Sequence, residues 1–452
     1  MDFPHDFKIR TKQWLSDDYA LLEKALQEES PISIRLNPFK QIEPVTGYEK
    51  VGWCETGYYL PERPSFTFDP LFHAGCYYVQ EASSMFLEQA VKQHISTPIV
   101  CLDLCAAPGG KSTHLQSLLP EKSLLVSNEV IHSRASVLKE NMMKWGLPYT
   151  VVTNNDPLKI GQLTHLFDVI VADLPCSGEG MFRKDPNSRN EWSTANVRLC
   201  AGRQRRIIHD VWDSLKPGGL LVYSTCTFNR EENEENICYL AEQFDAEVLP
   251  VSVKNDWNIS HAIHETFPAY RFYPHKTKGE GFFLALLRKS DSERQLIRHK
   301  TVNKQTTPVP GQCKDWLIEP DSFRFDVKQH VIQAIPVSHQ AVCQTLFENL
   351  RVLSAGLLVG EIKGNDVLPS PALALNTCFR SEAFPAVELT REESIRYLQR
   401  EALILPEHVP NGFVVVKYRN TPLGFMKNIG NRANNLFPQE WRIRSRVMLN
   451  EQ

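Results

Sequence analysis

The sequence predicts an α/β protein built on a parallel, doubly wound sheet, with a small α+β appendage before it and one or two small α+β or barrel modules after it. Three observations predict this class. Between Pro98 and Lys289 short apolar runs alternate with helical stretches. The first run ends in a Gly-Gly turn that opens a helix, and the later runs also end in polar or reactive residues. The chain has 452 residues, 42% hydrophobic and 23% charged, enough for several domains each with its own core.

The appendage, residues 1–75, combines an amphipathic helix pattern from Trp14 to Leu26 with the extended piece "PISIRLNP". Cys76 to Ile95 reads as a helix, because Met85, Leu87 and Val91 fall on one face. In the central domain, residues 76–289, "IVCLDLC" is a buried strand and "GKSTHLQSLL" the helix it feeds. "SLLVSNE" is the next strand, followed by a helix carrying Leu138, Met142 and Trp145 that stops at Gly146. "PYTVVTNND" and "FDVIVADLPC" are two more strands, and a long helix around "RQRRIIHDVWDSLKPGG" leads to "LLVYSTC". "GEGFFLALLRK" reads as a last strand at the sheet edge. Residues 290–312 are polar and aperiodic, a linker candidate. Beyond them the strands "GLLVGEI" and "GFVVVKY" bracket the helix "REESIRYLQREALIL", and the tail divides into residues 313–380 and 381–452.

Composition excludes several classes. No apolar run approaches the roughly 18 residues of a membrane span, and "MDFPHDFKIR" lacks the apolar stretch of a secretory signal, so a cytoplasmic protein is expected. Eleven cysteines without repeated spacing suit reduced thiols, and no cluster has the spacing of a metal site. A net charge of -3 rules out a bulk polycation, so any nucleic acid is held by local patches. Nothing points to an obligate oligomer.

The stretch "CAAPGGKST" is one residue from a triphosphate loop, with Cys105 where that loop needs glycine. Gly109 and Gly110 permit close backbone approach, and the helix after them offers free N–H donors. Glu129 ends the second strand, where an acid holds a ribose diol; Asp156 ends the third, near an adenine, and Asp173 the fourth. A nucleoside without phosphates fits this set better than a triphosphate, so the expected cofactor is S-adenosylmethionine. Its predicted contacts are Cys105, Ala106, Ala107, Pro108, Gly109, Gly110, Lys111, Glu129, Asp156 and Asp173. Any single feature of this kind is commonly a connector or a solvated loop residue; four at consecutive strand ends are not. Cys176, after Asp173-Leu174-Pro175, and Cys226, ending "YSTC", fall at the rims of adjacent strands. Free cysteine is usually a small buried hydrophobe, but two beside an acid form a reactive arrangement. Such a thiolate could add to C6 of a cytosine and make C5 nucleophilic, with Lys111 favouring the thiolate and Asp173 acting on the base's N3 edge.

Four motifs, "QEASSM", "DLCAAPGGKSTHL", "DLPCSGEGMFRKDP" and "LVYSTCTFNREENE", spread over residues 70–290, resemble the NOL1/NOP2/Sun family of RNA 5-methylcytosine methyltransferases. The resemblance implies a Rossmann-like S-adenosylmethionine-dependent core with C-terminal RNA-binding modules, RRM-like and PUA-like. It implies that Cys226 is the nucleophile and that Cys176 assists product release, an assignment the residues alone leave open. Within the family, the complete Pro-Cys motif and "GNRANNLFP" resemble a bacterial group that modifies cytosines in the decoding region of 16S RNA. The implied partner is 16S ribosomal RNA within the 30S subunit, and altered aminoglycoside binding would follow. Other RNAs, 23S ribosomal RNA or tRNA, are the alternative substrates; a phosphate-loop NTPase and an inert RNA-binding factor are the rival classes.

Basic residues cluster twice. Arg183, Lys184, Arg189, Arg198, Arg203, Arg205 and Arg206 follow the Pro-Cys motif. Lys417, Arg419, Lys427, Arg432, Arg442, Arg444 and Arg446 are interleaved with Tyr418, Phe425, Phe437 and Trp441, which suits stacking on RNA. Asn229 is expected to cap a helix whose first turns hold Glu231, Glu232, Glu234 and Glu235.

Overall fold

The computed structural model describes residues 2–40, 47–263, 266–291, 309–364 and 366–445. Most of the linker candidate 290–312 lies outside the described residues, as does Arg446.

The central sheet has nine strands. Five are parallel, in the spatial order Leu215–Thr225, Phe167–Asp173, Val100–Asp103, Leu124–Asn128, Thr150–Thr153. The chain runs outward from Val100–Asp103 through two strands, then crosses back to place Phe167–Asp173 on the other side of the first strand. That reversal creates the crevice where ligands of such sheets bind. The strands are continuous apolar runs because both faces are covered. Leu102, Val126 and Ile170 pack into one core layer, and Cys101, Leu125 and Val169 into the other. Each large apolar side chain so buried contributes on the order of 1.5–3 kcal/mol.

The "GEGFFLALLRK" strand, Phe282–Arg288, is not the edge. Tyr270–Phe272 and Glu247–Leu249 both pair with it antiparallel, beyond Leu215–Thr225. These two strands are only three residues long, too short for a periodic signal. The opposite edge is closed by Val352–Ala355, from far along the chain, which runs antiparallel to Thr150–Thr153.

The appendage departs from expectation in two places. Trp14 to Leu26 is two helices, His5–Leu15 and Asp18–Ala25, because the backbone turns left-handed at Ser16. Cys76 to Ile95 begins as a strand, Tyr77–Val79, which joins Ile32–Leu36 and Gly57–Leu60 in a three-stranded antiparallel sheet. The helix occupies only Leu87–His94, after a 3-10 turn at Ser83–Phe86. The β-favouring pair of tyrosines and Val79 outweighs the helical period read from Met85, Leu87 and Val91. The C-terminal part holds two four-stranded sheets. One runs Phe323–Lys328, Val331–Pro336, Leu357–Lys363, Asp366–Pro369, all antiparallel. The other contains Ala386–Glu388, Gly412–Tyr418, Thr421–Asn428 and Ala433–Asn435. The Arg391–Leu398 helix carries a complete capping box from Thr390 to Glu393.

Candidate active site

The glycine turn follows from local chemistry. Gly109 has φ of 119°, a conformation open to glycine, and starts the helix Gly110–Leu118. Other elements hold the loop: Arg134 donates to the Ala107 carbonyl at 2.8 Å and Asn141 to that of Pro108 at 2.8 Å. From the appendage, Arg35 bonds Thr113 at 2.6 Å and Gln80 at 2.8 Å. Arg35 is fully buried without a carboxylate ion-pair partner among the described residues, stacks over Trp145, and burial lowers its pKa to about 10.

A cavity of about 430 Å³ opens above this loop. Cys105, Ala106, Ala107, Pro108, Gly110 and Lys111 line it, and so do Asp173 and Cys226. Lys111 Nζ lies 2.8 Å from Asp173 Oδ2, and Ser224 on the adjacent strand donates to Asp173 Oδ1 at 2.8 Å. Burial opposes the Lys111 charge, but Asp173, Asp103 and Cys226 together hold its pKa above the ordinary lysine value. The ammonium therefore stays charged and faces the Cys226 sulfur electrostatically. Cys176 Sγ lies 3.1 Å from Cys226 Sγ. That thiol contact, and burial after it, push the Cys176 pKa well up. Cys105 is likewise pushed up by burial, so it lines the cavity as a neutral thiol.

Glu129 and Asp156 do not join this wall. Glu129 is buried, accepts from the Ile131 N–H at 2.9 Å and faces Arg134 at 3.3 Å. Arg134 thereby links it to the loop at Ala107. Asp156 is exposed and caps the short helix Pro157–Gly161 through the Leu158 N–H at 3.0 Å.

Four acids near the site are not distinguished as site residues by the sequence, one of them, Glu232, being expected only in the first turns of a helix. Asp103 ends the first strand, fully buried; Ser112 donates to Oδ2 at 2.6 Å, while Oδ1 has no hydrogen-bond partner among the described residues. Burial pushes its pKa up to about 7, against the pull of Ser112 and Lys111. Its position matches that of Asp173 on a neighbouring strand, a signal present in "CLDLC". Glu179 and Glu232 are buried between the two cysteine loops, and Glu280 is buried beside the cavity. No motif spacing distinguishes these three from surface acids.

The acidic run corrects an expectation. The helix Glu234–Phe244 begins after Asn233, and Asn229 instead accepts the Glu232 N–H one turn earlier. Glu231 pairs with Arg10, and Glu234 forms a fully buried pair with Arg271 at 2.7 Å. Only Glu234 and Glu235 lie in the first helical turn. The basic clusters are also reduced. Arg183 and Arg189 donate to the Ala25 and Leu26 carbonyls, and Arg205 bonds Asn236 at 2.6 Å. Lys184, Arg198, Arg203 and Arg206 remain exposed. Phe425, Phe437 and Trp441 are core residues of the C-terminal sheet and present no free face for stacking; Tyr418 is half-buried under Arg419.

Away from the cavity, Cys54, Glu88 and His114 form a buried cluster. His114 lies 3.2 Å from Glu88, which also binds Lys92 at 2.8 Å, and the positive charges of Arg35 and Lys92 bear on His114. Cys54 Sγ lies 3.8 Å from His114 Nε2, while His114 Nδ1 has no hydrogen-bond partner among the described residues.

Sheet order, glycine loop and crevice define the class: a Rossmann-like S-adenosylmethionine-dependent methyltransferase core with appended N- and C-terminal domains. A methyltransferase homolog from Pyrococcus horikoshii superposes with a TM-score of 0.55 at 29% identity, covering 64% of this chain and 95% of its own. Residues 92–288 match the model described as 16S rRNA methyltransferase RsmB/F. Residues 3–82 match the N-terminal domain of 16S rRNA methyltransferase RsmF, and 384–443 the methyltransferase RsmF PUA domain. Ribosomal RNA small subunit methyltransferase F of Aliivibrio fischeri is 32% identical over 87% of this chain and 85% of its own length. The protein of the same name from Escherichia coli is 32% identical over 86% and 84%. The chain belongs to the ribosomal RNA small subunit methyltransferase F family. No helix among the described residues is long and apolar enough to cross a membrane.

Proposed function

We propose that this methyltransferase transfers a methyl group from S-adenosylmethionine to C5 of a cytosine in the decoding region of 16S ribosomal RNA, through a covalent adduct between cysteine and C6. The observation that carries this reading is the pair of sulfurs 3.1 Å apart at adjacent strand ends, beside the Lys111–Asp173 pair and over the cavity. An NTPase has no use for two such thiols.

The residues suit the cofactor. The cavity is of ligand size, and the buried Asp103 Oδ1 lacks a hydrogen-bond donor among the described residues. The Cys105–Lys111 backbone, Asp103 and Glu129 would hold the nucleoside and the amino-acid end. When bound, S-adenosylmethionine supplies an electrophilic methyl group. Lys111 stabilises the Cys226 thiolate, which adds to C6 of the base. As C6 is attacked, N3 takes up a proton from solvent and gives it back when Cys226 leaves; Asp173, held at both oxygens by Lys111 and Ser224, accepts the hydrogen bond from that N3–H and stabilises the protonated edge. Water takes the C5 proton as the C6–S bond breaks, and Cys176, kept protonated by its surroundings, donates to the departing Cys226 thiolate.

In this reading residues 1–75 present RNA to the 76–289 catalytic domain, and residues 313–380 and 381–452 extend the RNA surface beyond the 290–312 linker. The substrate is the 30S subunit, the protein works as a monomer in the cytoplasm, and the exposed Lys184, Arg198, Arg203 and Arg206 contact phosphates. Bisulfite sequencing of 16S RNA from cells with and without the protein tests the reading. A new protected cytosine in the decoding region is expected; identical profiles sink it.

A further inference from the structure

The loops after Cys176 and Cys226 exchange carboxylates. Glu179, on the Cys176 loop, accepts from the Phe228 N–H at 2.6 Å, the Asn229 N–H at 2.9 Å and Thr227 Oγ1 at 2.8 Å, all on the Cys226 loop. Its other oxygen takes the Trp192 indole N–H at 3.0 Å. Glu232, on the Cys226 loop, accepts from the Ser177 N–H at 3.0 Å, the residue after Cys176. Gln204 and Asn229 donate to it at 2.8 and 2.7 Å. The Gly180 N–H completes the exchange by donating to the Cys226 carbonyl at 2.9 Å.

Both acids are almost wholly buried, and neither has a lysine or arginine ion-pair partner among the described residues. Burying a carboxylate without a cation is costly even when its lone pairs are filled. A neutral amide in either place would turn an NH2 donor toward groups that themselves donate, leaving at least one of them unpaired. The carboxylates are suited to this place because every group facing their oxygens is a donor.

From this exchange we infer that Glu179 and Glu232 are positioning residues with separate targets: Glu179 sets Cys226 for attack, and Glu232 sets Cys176 for release. The inference rests on the two-thiol reading above. Each acid lies on one loop and holds the other, so the sulfur-to-sulfur distance is fixed by the pair and not by either strand.

The test uses the full chain and small-subunit ribosomal RNA lacking 5-methylcytosine, with rates normalised to S-adenosylmethionine-binding sites measured by calorimetry, so that a poorly folded fraction does not count. Glu179→Gln should lower the rate of RNA–protein adduct formation at least tenfold while leaving KM for RNA within twofold. Glu232→Gln should instead slow turnover and accumulate the denaturation-resistant adduct expected of Cys176→Ala. In the Cys176→Ala background, adding Glu232→Gln should change the rate by less than twofold, because its target is already gone. Equal loss from Glu232→Gln in both backgrounds, or single variants within twofold of wild type, overturns the assignment. Adduct and methylation surviving in Cys226→Ala would instead overturn the two-thiol reading itself, whatever the glutamate variants do.

Discussion

At Asp173 the strand-end carboxylate is bound by side chains from other elements, Lys111 and Ser224, whereas at Asp156, across the sheet, it is bound by the backbone of its own next turn. Asp173 ends its parallel strand, and Asp156 follows the carboxyl end of its own by three residues. The first is held into a cavity and the second closes a helix. A strand-end acid is therefore informative only when the turn that follows leaves its oxygens free. Asp156 is followed by proline, which has no N–H and starts helices at their first position, so the Asp-Pro pair signals a cap. Asp69-Pro70 and Asp185-Pro186 repeat the arrangement in the same chain.

The sharpest way to break this contrast is at the thiol rim. Cys226→Ala should lower methyl transfer by at least about 10³-fold and abolish the adduct on a denaturing gel; activity near wild type would remove the rim from the reaction. Asp173→Asn should cost about 10²-fold in kcat, as expected for a lost positioned hydrogen-bonding group, with RNA binding retained in a filter assay. On the other side, Glu129→Gln should weaken S-adenosylmethionine about tenfold in calorimetry, the range of a lost charge-assisted hydrogen bond. Asp156→Ala should leave that affinity within twofold and cost about 1 kcal/mol of stability, the value of a cap. Equal effects of the Glu129 and Asp156 variants on the cofactor would erase the distinction.

A smaller effect concerns pH. Burial holds the Asp103 carboxyl up to about 7 in the folded chain, against about 4 when unfolded. The folded state thus binds this proton more tightly, and its contribution to stability is present below about pH 4 and lost as pH rises through 7. Asp103→Asn should reduce the downward slope of stability with pH in that window by up to about 1.4 kcal/mol per pH unit. Denaturant titrations from pH 5 to 8 would read it. Glu232, also raised to about 7 by burial, supplies a second proton and keeps part of the slope in the variant.

The same contrast explains how much of the molecule was legible in its sequence. The five parallel strands were, because burial on both faces writes each as a continuous apolar run. The glycine loop and both cysteines were, because turn chemistry and reactive thiols are local features. The covering strands at Glu247–Leu249 and Tyr270–Phe272 were not, since three residues carry no period. Glu179 and Glu232 were hidden for a different reason: their meaning lies in loops about 50 residues apart, and an isolated glutamate in a polar motif looks like solvent-facing charge. Phe425, Phe437 and Trp441 misled in the opposite direction, because aromatics among basic residues serve a core as readily as an RNA surface.

The pairing of Val352–Ala355 with Thr150–Thr153 also sets the order in which the molecule can be finished. During synthesis the strand ending at Thr153 waits with one row of backbone N–H and C=O groups unpaired until residue 355 has emerged. Over that interval the nascent chain carries an open template for strand addition, and a fragment ending after Arg288 would carry it permanently. The C-terminal module is thus also a late-arriving cover that keeps the catalytic sheet from assembling with its neighbours.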